Sequence, residues 1–101
     1  MEWPDDAPFY NFNEFSILSN AEPQFGVYGV FTADRQPLLI DAGEVMNDLI
    51  RIAQAADRDL NSRGAALFSF IVAPYEESMR LCAQLRAALL GEGKRRKQQA
   101  G

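Results

Sequence analysis

The sequence predicts a small α+β fold, a three-stranded antiparallel sheet flanked by helices, and three observations carry that expectation. The first is "FGVYGVF" at 25–31 and "PLLID" at 37–41, two runs rich in β-branched, aromatic and aliphatic residues on either side of the turn-forming "TADRQ"; this is the pattern of an antiparallel hairpin. The second is a change of apolar period after Glu44, from the two of a strand to the 3.6 of a helix. The third is "ALFSFIV" at 66–72, a third strand, followed by a second helical pattern. Strand, strand, helix, strand, helix is the order of a sheet with helices packed on it.

Each element has a local reason. Residues 1–24 read as an irregular lead-in with a short helix in "NFNEFSILSN", capped by Asn11 or Asn13, with Phe12, Phe15, Ile17 and Leu18 offering apolar contacts. Pro23 ends it, and Pro37 suits the first residue of a strand, where a missing N–H is tolerated. From Glu44 to about Leu60, Val45, Leu49, Ile52, Ala53, Ala56 and Leu60 form one stripe, opposite Asn47, Asp48, Arg51, Gln54, Asp57 and Arg58. Gly64 is placed to end that helix in a left-handed conformation. Pro74, followed by Glu76 and Glu77, opens the last helix, since proline suits a first turn and carboxylates suit the positive end of the dipole. Met79, Cys82, Leu85 and Leu89 make its apolar stripe, and Gly91 stops it. The organisation is thus a lead-in (1–24), a core (25–91) and a polar, basic tail (92–101).

Composition narrows the chemistry. At 101 residues and 48% hydrophobic, the chain suits one modest core. No run approaches the roughly 18 apolar residues of a membrane span, and "MEWPDDAPFY" has neither the basic nor the apolar region of a signal peptide. A single cysteine allows no internal disulfide and points to a reducing, cytoplasmic setting. The formal net charge is −4, yet Lys94, Arg95, Arg96 and Lys97 stand together, so residues 1–93 carry 6 basic and 14 acidic side chains, a net of −8. Such a body repels phosphate backbones. The absence of histidine removes the commonest general acid/base and transition-metal ligand.

The hairpin text and the element order together resemble the GIY-YIG nuclease domain. Gly26, Val27 and Tyr28 match its opening Gly-aliphatic-Tyr, preceded by Pro23 as is common there, and after ten intervening residues Leu39, Ile40 and Asp41 stand where Tyr-Ile-Gly would be. The resemblance covers roughly residues 9–90. It implies a fold of the β-β-α-β-α kind and a site in which two tyrosines, a helix arginine and a glutamate of the last helix surround a divalent metal. Such a site hydrolyses phosphodiesters because a hard cation seeks oxygen anions and the transition state spreads charge over phosphoryl oxygens. Tyr28 keeps the first tyrosine. The second is Leu39, the following glycine is Asp41, the arginine falls on Leu49, and the metal-binding glutamate falls on or near Cys82, with no acidic residue between Glu77 and Glu92. Arg51 lies two residues past Leu49, a rotation of about 200° that turns it to the opposite helix face.

The expected site is therefore vestigial: no catalytic residues, no metal and no cofactor, with Tyr28 as the remaining match. Asp41, Glu44 and Asp48 are a conceivable carboxylate cluster, although the simpler reading makes Asp41 a helix cap and Glu44 a first-turn acid. Cys82 reads as a small buried hydrophobe, and Tyr28 as a packed aromatic. Trp3, Phe9, Tyr10 and Phe12 have the apolar area of a docking segment, with Phe9 and Phe12 favoured over Trp3 to fold back onto the core. The functional expectation is an inactive GIY-YIG-like domain serving as a small protein-binding or assembly module, its partner another protein or a second copy. The alternative is a non-cleaving nucleic-acid binder using Lys94, Arg95, Arg96 and Lys97; a residual metal-dependent endonuclease comes last.

Overall fold

A computed structural model describes residues 1–55 and 58–91, with Arg58 and Asp59 as backbone alone. The elements run β1 (Tyr10–Asn11), α1 (Glu14–Asn20), β2 (Phe25–Phe31), β3 (Pro37–Glu44), α2 (Val45–Gln54), α3 (Arg58–Ser62), β4 (Leu67–Val72) and α4 (Tyr75–Leu89). The sheet has four strands, not three, in the order β1-β4-β2-β3, every neighbour antiparallel. The added strand lies inside the lead-in, where Tyr10 and Asn11 pair with Phe68 and Leu67. Two residues are too few to show a period, and their partner lies far along the chain, which is why the sequence hides them.

The predicted hairpin is present. Tyr28 pairs with Asp41 and Gly29 with Ile40, and β3 continues to Glu44 rather than stopping at Asp41. Alternation along β2 then sorts the core into two layers. Val27 and Phe31 meet Ile40, Cys82 and Leu85 on the face covered by α4. Tyr28 and Val30 meet Ile17, Val45, Leu49 and Phe68 on the face covered by α1 and α2. Val27, Val30, Leu49, Phe68 and Leu85 are completely buried.

Several expectations are corrected by burial. The single helix from Glu44 to Leu60 is two: α2 ends at Gln54, where Ala55 N–H returns to the Arg51 carbonyl, and the buried Leu60 belongs to α3. Gly64 closes α3 at φ 89°, a left-handed conformation that glycine takes without strain. In α1 the cap is Asn13, whose Oδ1 accepts from Ser16 N–H at 2.8 Å. Only Ile17 of that helix is buried; Phe15 and Leu18 are 81% and 62% exposed, because seven residues present a single row to the sheet. In α4 Met79 is exposed, and Ser78 is buried in its place, donating its hydroxyl to the Ala73 carbonyl at 2.9 Å. Trp3, expected to fold back less readily than Phe9 and Phe12, is buried: its indole N–H donates to Ser69 Oγ at 2.9 Å, and its ring meets Phe31 edge-on at 5.1 Å.

Candidate functional site

Tyr28 sits in the central strand, 2% exposed, with its ring among the apolar side chains beneath α1 and α2. A buried phenol must place its hydroxyl on an acceptor. It donates to Asp48 Oδ2 at 2.9 Å, across the first turns of α2. Asp48 Oδ1 accepts from Arg51 at 3.0 Å, one helical turn further on. The Asp48 side chain is 17% exposed and that of Arg51 72%, so the chain of partners runs from the core to the surface.

Backbone geometry makes room for this. A Cβ on Gly43 would stand 2.0 Å from Asp48 Oδ2, so the carboxylate rests against the strand in space that only glycine leaves. Burial is the first cause that pushes the Tyr28 phenol far above its ordinary range, and the hydrogen bond and negative charge of Asp48 push it the same way. The hydroxyl therefore stays protonated at any physiological pH and acts as a donor to Asp48.

The other positions singled out by the sequence do not join it. Leu39 packs in the same layer, and Leu49 is completely buried there. Arg51 does lie away from Leu49, exposed on α2, and as the i+3 neighbour of Asp48 it donates its guanidinium to that carboxylate. Cys82 is buried in the other layer, across the sheet from Tyr28. Asp41 is not a helix cap: it lies within β3, where Oδ1 accepts from the next residue, Ala42 N–H, at 2.8 Å and stands 4.0 Å from Arg86. Glu44 takes the cap position without a side-chain cap bond, and its Oε1 is buried with no hydrogen-bond partner. Asp41 and Asp48 both press on Tyr28 electrostatically, and among the described residues no three His, Cys, Asp or Glu side chains are grouped to hold a metal ion. Lys94, Arg95, Arg96 and Lys97 lie outside the described residues.

Sequence reading missed the pairing of Tyr28 with Asp48. A signal was present: Asp48 sits one position before the core residue Leu49 and three after Val45, at the border of the apolar stripe rather than opposite it. No described helix is long and apolar enough to cross a membrane. Comparison with known proteins finds no match: no protein family, no curated protein and no solved structure is significantly similar to the chain.

Proposed function

We propose that the chain is a catalytically inactive GIY-YIG-like domain that works as a small protein-binding or assembly module. The observation that carries this reading is the state of Tyr28, whose hydroxyl is buried and committed to Asp48. A phenol 2% exposed and packed beneath α1 and α2 is out of reach of a phosphodiester, and the burial that raises its pKa disfavours the phenolate that attack would need. The remaining positions agree: Leu39 and Leu49 contribute methyl groups where the resemblance expects a hydroxyl and a cation, and Cys82 lies in the opposite core layer. The order β2, β3, α2, β4, α4, with the short α3 between α2 and β4, is compatible with the resemblance. Folds outlive their sites, and a small rigid sheet remains a usable surface.

The test is incubation of the purified chain with plasmid DNA and with single-stranded RNA in Mg²⁺ and in Mn²⁺. No strand scission is expected. Metal-dependent cleavage that disappears in Tyr28→Phe would overturn the reading. The alternative, a non-cleaving nucleic-acid binder, rests on the Lys94–Lys97 cluster of the sequence and is separated from the first by salt-dependent binding.

A further inference from the structure

The lead-in, the β2–β3 turn and the end of α4 enclose a cleft of about 450 Å³, a size that accepts side chains of a docked segment. Its apolar lining includes Trp3, Phe9, Phe31 and Leu89. Trp3 and Phe31 are fixed in the core beneath it, Trp3 by the Ser69 hydrogen bond and both by their edge-on contact. Its polar lining is Glu2, Asp5, Arg35 and Gln36. Glu2 and Asp5 line the opening, both exposed, and neither makes a hydrogen bond or ion pair with another described residue. Asp6 follows Asp5 and Asp34 precedes Arg35 in sequence; both are exposed, and Asp34 accepts a hydrogen bond from the Thr32 hydroxyl. In residues 1–9 and 32–37 these four carboxylates accompany a single basic side chain, Arg35. The Arg35 guanidinium lies over the Phe9 ring, 4.5 Å from its centroid, and its backbone is left-handed at φ 67°, a conformation a long side chain seldom takes.

We propose that this cleft is the docking site for a segment of a partner protein in which Lys or Arg side chains alternate with apolar ones. The assignment deepens the binding-module reading and rests on it. The partner is chosen by charge complementarity: an apolar floor takes the aliphatic side chains and the stems of the basic ones, while Glu2 and Asp5 take the ammonium or guanidinium heads. The net charge of −8 over residues 1–93 steers a cationic segment toward the molecule and an anionic one away. Arg35 stacked on Phe9 is an internal copy of the contact, a cationic side chain lying on the same aromatic lining.

The single tryptophan of the chain lines the cleft, so it reports occupancy directly. The full chain is titrated with the synthetic peptide acetyl-Lys-Leu-Lys-Leu-Lys-amide and with its Glu-for-Lys counterpart, following tryptophan emission. A saturable shift with the Lys peptide alone is expected, weakening as NaCl rises from about 20 to about 200 mM. Binding should fall about tenfold in the double variant Glu2→Lys, Asp5→Lys, two exposed positions whose circular dichroism should match the parent. No shift, an equal response to the Glu peptide, or unchanged affinity in the double variant overturns the proposal. A chain truncated after Gly93 separates the remaining source of positive charge: if removing Lys94–Lys97 by itself shifts the emission and opens the cleft to the peptide, the occupant is the chain's own basic segment and the partner assignment falls. Each of these failures leaves the inactive-domain reading standing, since only metal-dependent cleavage overturns that.

Discussion

The bond from Tyr28 to Asp48 is made where water is scarce, and this sets what its loss would do. Removing the hydroxyl in Tyr28→Phe leaves Asp48 with Arg51 as its side-chain donor. A hydrogen bond to a charged group is worth about 1.5–3 kcal/mol, and a loss of that size is expected in urea unfolding with an unchanged denaturant slope. The same substitution has a pH signature. The folded phenol is raised above its ordinary value of 10.0, so the unfolded chain releases this proton first as pH climbs. Below pH ~10 the contribution is complete; above it, stability should fall by about 1.4 kcal/mol per pH unit from this group, until the folded phenol itself ionises. Denaturation midpoints from pH 8 to pH 11 should show that slope reduced in Tyr28→Phe. Gly43 belongs to the same unit. A methyl group there meets Asp48 Oδ2 at 2.0 Å, and the carboxylate, being a side chain, would move and release Tyr28. Gly43→Ala should therefore cost about 1–3 kcal/mol alone and much less in an Asp48→Ala background, a coupling that a double-mutant cycle measures. Additive effects would separate Gly43 from the pair. None of this is readable from composition, because residues 28, 43 and 48 are joined by the hairpin and the helix it leads into.

Elements were legible to the extent that they carry a period. β2 announces itself because all seven of its residues are aromatic, β-branched or glycine, the mark of an inner strand buried on both faces. α4 begins after Pro74, where proline and two acids mark a first turn. The break between α2 and α3 was hidden because the apolar stripe continues through it to the buried Leu60. The lead-in was hidden for the opposite reason: it has no period, and its anchors are distant partners such as Ser69, 66 residues beyond Trp3. That distance makes the lead-in part of the core, and a substitution can show it. Trp3→Ala removes the indole from Phe31 and leaves Ser69 Oγ without its donor, so a destabilisation of about 3–5 kcal/mol is expected, read by far-ultraviolet circular dichroism during urea unfolding. A change below about 1 kcal/mol would make residues 1–9 an appendage.

At the scale of the whole molecule, charge decides which large partner can approach. The six basic residues before Gly93 are all arginines, scattered along the sequence, and among the described ones Arg51 stands beside Asp48 and Arg86 beside Asp41. They are outnumbered by 14 acidic side chains, a balance that disfavours a phosphate backbone. Any affinity for DNA is then expected from Lys94, Arg95, Arg96 and Lys97, and four cations would limit the number of counterions released on binding. The logarithm of the association constant for duplex DNA should fall against the logarithm of salt concentration with a slope no steeper than about −3.6. A chain truncated after Gly93 should show no binding at low salt. Fluorescence anisotropy with labelled duplex in Mg²⁺ measures both quantities. A steeper slope, or binding that survives the truncation, would require phosphate contacts from the arginines of the body. The acidic surface would then be divided into separate faces, one of them turned to nucleic acid, and the non-cleaving binder would displace the protein-binding module as the better account of the fold.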